Sequence, residues 1–137
     1  MNLLGLLSVS GKPGLYRMVG NRPSGLVIEP LLGGARMFAA SRQHQFTPLE
    51  SIAIFTDDGD SLPLKDVLER IIEQREDNPL PDPKASNEVL REYLLDILPN
   101  HDQERVYPSD IKKLVKWFGW LDQSGVLEEE EPKDEEE

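Results

Sequence analysis

Five basic side chains, Lys12, Arg17, Arg22, Arg36 and Arg42, fall in the first 56 residues against only two acidic ones, in company with Tyr16, Phe38 and Phe46. Arginine forks match phosphate geometry and aromatic rings stack on bases, so this set is a candidate contact surface for RNA, DNA or another anion. The competing reading is that a small β module needs its aromatics for a core, and that alternation leaves arginines on the wet face of each strand. A second group lies near the C-terminus. Lys112, Lys113 and Lys116 stand at i, i+1 and i+4 beside Trp117 and Trp120. A tryptophan among lysines is a common anchor for a protein partner, although the same lysines also suit the solvated face of a helix. With Ile111, Leu114, Val115, Phe118 and Leu121 assigned to the core, Trp117 sits at the edge of the apolar stripe and Trp120 departs from it.

No reacting constellation emerges, so no catalytic residue, metal ligand or cofactor is assigned. Gly5 and Gly11 are six residues apart where a phosphate loop needs five, and Lys12 is followed by Pro13, which has no N–H to offer a phosphate. Asp57-Asp58-Gly59-Asp60 lacks the alternating oxygen ligands and closing glutamate of a calcium loop and reads as a solvated acidic turn. His44 and His101 lie in separate loops without a neighbouring His or Cys. His101-Asp102 beside Glu104 has the residue types of an acid–base group, but no Gly-x-Ser-x-Gly elbow supplies a nucleophile for it. The complete absence of cysteine removes disulfides, thiolate zinc sites and cysteine nucleophiles together.

Charge divides the chain more sharply than its net −11 implies. Residues 1–56 carry +3, 57–83 carry −6, 84–127 carry −1, and the last ten, with eight carboxylates and one lysine, carry −7. Such a terminus has no core-forming side chain, so 128–137 is expected to be a disordered acidic tail. No apolar run approaches the roughly 18 residues of a membrane span, and the stretch from Met1 to Leu7 lacks the basic start of a signal peptide. The expectation is a cytoplasmic protein that does not engage membranes.

The elements that must position these side chains follow from apolar spacing and punctuation. Short apolar runs at Leu6 to Val9, Gly14 to Val19, Leu26 to Ile28, Met37 to Ala40 and Ile52 to Phe55 alternate with glycine, proline and asparagine turns. Five strands in so short a stretch predict a small SH3-like β-barrel. Leu64, Val67, Leu68, Ile71 and Ile72 then share one face of an amphipathic helix that closes a module spanning 1–77. Three prolines within 78–85 predict a stiff linker. Ser86 caps a helix with Val89, Leu90, Tyr93, Leu94, Ile97 and Leu98 on its apolar face, and a last helix from Pro108 or Ser109 stops at Gly125. The expected fold is α+β: the barrel with its closing helix, a helical hairpin over 86–127, and the tail.

Three segments carry a family resemblance: Val9-Ser-Gly-Lys-Pro-Gly-Leu-Tyr16, Leu49-Glu-Ser-Ile-Ala-Ile-Phe-Thr-Asp57 and Arg105-Val-Tyr-Pro-Ser-Asp-Ile-Lys-Lys113. In these the chain resembles a group of small uncharacterised proteins of Bacteroidetes bacteria over nearly its whole length. The resemblance implies a domain of unknown function followed by a helical one, and supplies no catalytic residues. The chain departs from the family between Leu31 and Phe46, where Gly33-Gly34 and Arg42-Gln43-His44-Gln45 replace a more acidic, serine-rich stretch. Together these readings point to a non-catalytic protein-interaction adaptor with a protein partner. The alternative is a weak RNA- or DNA-binding module autoinhibited by its acidic tail, and an enzyme is a distant third.

Overall fold

The structure is a computed structural model that describes residues 1–128. The acidic tail lies outside the described residues from position 129 onward. The chain divides into two compact units, one formed by Met1–Glu50 with the segment from Trp120, the other by Ser51–Gly119.

The first unit is an antiparallel sheet of five strands: β1 (Leu6–Val9), β2 (Tyr16–Arg22), β3 (Gly25–Pro30), β4 (Met37–Ala40) and β5 (Phe46–Pro48), in the spatial order β4-β3-β2-β1-β5. β1 is an interior strand, pairing Leu7 with Tyr16 on one side and with Pro48 on the other. Leu7, Val9, Tyr16, Ile28 and Ala39 form the buried cluster, with Leu26, Met37 and Phe46 packed against it. Burying an aliphatic side chain of this kind contributes roughly 1.5–3 kcal/mol, so the alternating inward residues hold the layer together. Gly11 and Gly14, with φ of 79° and 90°, let the chain reverse between β1 and β2. Ser10 secures the start of β5 by accepting the Gln45 N–H on its hydroxyl at 2.7 Å.

One expectation needs correction here. Among the described residues the five strands form one antiparallel sheet whose edges are β4 and β5. The fifth strand is β5 and not the Ile52 to Phe55 run. Phe46-Thr47-Pro48 is too short to show a period and ends in proline, so its pairing with β1 has no local signature.

In the second unit the Ile52 to Phe55 run becomes β6 (Ala53–Phe55), which pairs only with β7 (Ser61–Pro63) as a hairpin. The turn between them is built by the acidic run: Thr56 Oγ1 donates to Asp58 Oδ1 at 2.6 Å, the same oxygen accepts the Asp60 N–H at 3.1 Å, and Gly59 takes φ 87°. α1 (Leu64–Gln74) follows at once, burying Leu64, Val67, Leu68 and Ile71 as its spacing requires. It packs on both hairpin strands and on α2 (Asn87–Ile97), so it belongs with the helices and not with the five-stranded sheet. Ser86 caps α2 by accepting the Val89 N–H at 3.2 Å, and the helix stops before Pro99. The backbone of α2 approaches that of α1 closely. The proline-rich 78–85 stretch falls inside this unit and adopts neither helix nor strand.

α3 (Pro108–Ser124) begins with a reciprocal cap, the Tyr107 N–H donating to Asp110 Oδ2 at 2.9 Å. It ends at Gly125, whose φ of 84° suits only glycine, before a 3-10 turn over Val126–Glu128. Among the described residues no helix is long and apolar enough to cross a membrane.

Candidate functional site

The residues that meet in space belong to the second unit. Connecting α2 to α3, the chain returns to β6: the Asp57 N–H donates to Asn100 O at 2.8 Å and the Asp102 N–H to Phe55 O at 2.9 Å, with Thr56 and His101 facing each other as an isolated bridge. The chain then turns away, because Asp102 Oδ1 accepts the Glu104 and Arg105 N–H groups at 2.9 and 3.3 Å. Beyond that turn β6 and α3 are separated by a cleft of about 220 Å³. Its walls are Ile52 to Phe55 on one side and Val106, Ile111, Leu114 and Trp117 on the other, with Leu64 and Leu94 below.

Arg105, Lys113 and Asp110 are its charged members. The Arg105 guanidinium stands 5.1 Å from the centre of the Phe55 ring, which is itself 46% exposed, and its Nε lies 3.8 Å from Asp102 Oδ2. Lys113 is exposed, with no charged partner among the described residues. Asp110 caps its own helix, and with two cations against this one carboxylate the lining carries a net positive charge. Small-molecule pockets usually occupy roughly 300–1,000 Å³, so a cleft of this size suits one side chain of a larger partner better than a cofactor.

The backbone adds a directional element. Leu64 N donates to Ile52 O at 2.8 Å and Thr56 N to Asp60 O at 3.0 Å, so the even-numbered residues of β6 face β7. Antiparallel pairing alternates, which turns the N–H and C=O of Ala53 to the opposite edge. There they find no partner among the described residues.

His101 is 2% exposed and has both ring nitrogens bonded, Nδ1 to Leu98 O at 2.8 Å and Nε2 to Arg91 Nη1 at 3.0 Å. It anchors the loop and is not arranged to move a proton to a substrate. His44 bonds the Ser10 carbonyl oxygen through Nδ1 at 2.8 Å in the other unit. Among the described residues no three His, Cys, Asp or Glu side chains gather as a metal would require.

The sequence-predicted contact residues are only partly brought together. Lys113 and Trp117 line the cleft, while Lys112 and Lys116 are exposed on the same helix outside its lining. Trp120 is half-buried and falls with the sheet unit. Lys12 lies in the β1–β2 turn and Arg42 in the connection from β4 to β5, two segments that meet where His44 Nδ1 bonds the Ser10 carbonyl oxygen, while Arg36 precedes β4 and Arg22 ends β2. Arg17 sits opposite Glu29 in the ladder, and Glu29 also pairs with Arg36 at 3.4 Å. Sequence reasoning missed Ala53, Phe55, Arg105 and Val106. Their signal was the family-like segments Leu49 to Asp57 and Arg105 to Lys113, which supply most of the cleft wall.

Residues 52–121, half of the chain, match the model of a family described as Domain of unknown function (DUF6852), and residues 3–49 match that of Domain of unknown function (DUF5606). A solution NMR structure from Bacteroides vulgatus, determined as a structural genomics target, is similar with a TM-score of 0.71 and 33% identity, covering 90% of this chain and 88% of its own. The chain belongs to this Bacteroidetes family. No curated protein matches it. The DUF5606 and DUF6852 matches meet between residues 49 and 52, where the two compact units divide. The cleft therefore lies wholly within the DUF6852 part.

Proposed function

We propose that the protein is a non-catalytic, cytoplasmic protein-interaction adaptor whose DUF6852 part receives a short segment of an acidic protein partner. One observation carries this reading: an apolar cleft of about 220 Å³ ends at two cations, Arg105 and Lys113, beside the half-buried Trp117. Apolar depth with a charged rim is the anatomy of a peptide-binding site, where a buried aromatic supplies affinity and rim charges supply steering. The test is a nuclease-treated pull-down from native extract with the wild-type chain, Trp117→Ala and Lys113→Glu, each checked for unchanged melting temperature. Loss of the same protein partner with both variants is expected. Equal capture by all three rejects the cleft as the site.

A second reading, weak RNA or DNA binding by the sheet, has its own observation. Phe38 is 51% exposed, pairs across the ladder with Val27, and Val27 pairs with Gly20. Arg22 Nη1 lies 3.3 Å from where a Cβ on Gly20 would stand, placing a guanidinium beside the flat strip that leads to the ring. The meander order with β5 beside β1 favours an SH3-like arrangement for this unit, a small-barrel class that presents such surfaces. Under this reading, deleting 128–137 raises RNA affinity with a steep salt dependence, and no binding by the truncated chain at low salt eliminates it.

A further inference from the structure

Resting on the adaptor reading, we infer that the cleft takes its partner by strand addition: an extended acidic peptide pairs with the open edge of β6 at Ala53 and lowers one apolar side chain between β6 and α3. The position of a third strand on this edge is already begun by the chain itself. Asn100 to Asp102 occupies it opposite Thr56, then leaves it at the Asp102 turn. The next hydrogen-bonding position along the row is Ala53, whose N–H and C=O point outward with no partner among the described residues. Its own side chain is exposed and small. An extended backbone placed there continues the existing row and supplies a donor and an acceptor, and an apolar side chain from it meets Phe55, Val106 and Trp117.

Charge selects the flanks of the peptide. Arg105 and Lys113 border the cleft, with Lys112 and Lys116 exposed on the same helix, whereas Asp110, the acidic group in the lining, is held by the Tyr107 N–H. Carboxylates on either side of the apolar residue complement this rim, and lysines there are repelled by it.

The experiment uses the full chain and an array of terminally blocked heptapeptides, Glu-Glu-X-Φ-X-Glu-Glu with Φ apolar, and a matched array with lysine in place of glutamate. Binding is read by titration in solution. The acidic array is expected to bind and the lysine array not to. N-methylation of the peptide backbone, one position at a time, is expected to weaken binding at least fivefold at the single residue that pairs with Ala53. Ala53→Pro removes a donor the fold does not use, and edge strands tolerate proline. It is expected to bind weakly, and N-methylation at the paired residue to weaken it again, because the C=O at position 53 still accepts the peptide N–H.

If binding depends on Trp117 and Lys113 but every N-methylated peptide binds within twofold of its parent, strand addition is overturned while the cleft reading stands. If no peptide of the acidic array binds, or binding ignores Trp117→Ala and Lys113→Glu, both are overturned.

Discussion

Arg91 and His101, ten residues apart in sequence, meet at 3.0 Å between a guanidinium nitrogen and the imidazole Nε2. A guanidinium only donates, so Nε2 accepts, and the ring proton sits on Nδ1 facing the Leu98 carbonyl oxygen at 2.8 Å. This histidine ties the end of α2 to the loop that returns to β6. His101→Ala leaves donor and acceptor unpaired and opens a cavity, and is expected to cost about 2–4 kcal/mol in urea denaturation. A loss below about 1 kcal/mol would show that the loop is held by its backbone bonds alone.

Tyr93 is buried on α2, and its hydroxyl has no hydrogen-bond partner among the described residues. Burial pushes its pKa up from 10.0 to about 12. The folded state thus holds this proton more tightly than the unfolded chain. The resulting stability is complete below pH 10 and is lost as pH rises through about 12. Tyr93→Phe is expected to raise stability at neutral pH by about 1 kcal/mol, since an unpaired buried hydroxyl is removed without changing the ring. Its alkaline denaturation curve should also lose the step assigned to Tyr93.

Asp58 is exposed, yet its carboxyl is held below the ordinary value of 3.8 by the Thr56 hydroxyl first and the Asp60 N–H second. A depressed folded pKa means the contribution of this group is present above pH 3.8 and lost as pH falls through its lower folded value. Carboxyl-carbon NMR titration should place the Asp58 midpoint below 3.8 in the native chain. In Thr56→Val it should move up toward that value, and an unmoved midpoint would reject the hydroxyl as the main cause.

Gly25 opens β3 where the strand crosses close to β4. A Cβ there would overlap the Ala39 carbonyl oxygen and stand 2.9 Å from Phe38 Cζ. The obstruction is backbone, which cannot swing aside, so Gly25→Ala is expected to destabilise by about 3 kcal/mol or more. Gly5→Ala meets no neighbour within 4 Å and is strained only by its φ of 78°, giving a milder loss of about 1–2 kcal/mol. Thermal denaturation of the pair separates contact from conformation. Equal losses would refute the close approach at Gly25.

Much of the element plan was legible because its signals are local. The apolar face of α1, that of α2 apart from the exposed Val89, the Ser86 cap, the stop at Gly125 and the extents of β1 and β4 depend on residues within one or two turns of each other. The three-residue strands β5 and β7 were not legible, since a period of two cannot show itself in three residues ending in proline. Ile52 to Phe55 was correctly read as extended, but its partner was misassigned, because strand propensity says nothing about which edge a strand joins. Of the candidate site, Lys113 and Trp117 stood out by type and spacing. Phe55 and Arg105 did not, for their significance lies in a contact across fifty residues of chain.

By itself the sequence determined the α+β class, the positions of the helices, the absence of cysteine chemistry and the separation of a mildly basic start from an acidic end. Tertiary structure alone decided that β5 and not β6 completes the sheet, that the turns bearing Lys12 and Arg42 meet through His44 and Ser10, and that β6 and α3 bound a cleft. The physical reason is that hydrogen-bond periodicity and capping act over a few residues, whereas strand partnership and the convergence of side chains are set by which distant surfaces can be buried together.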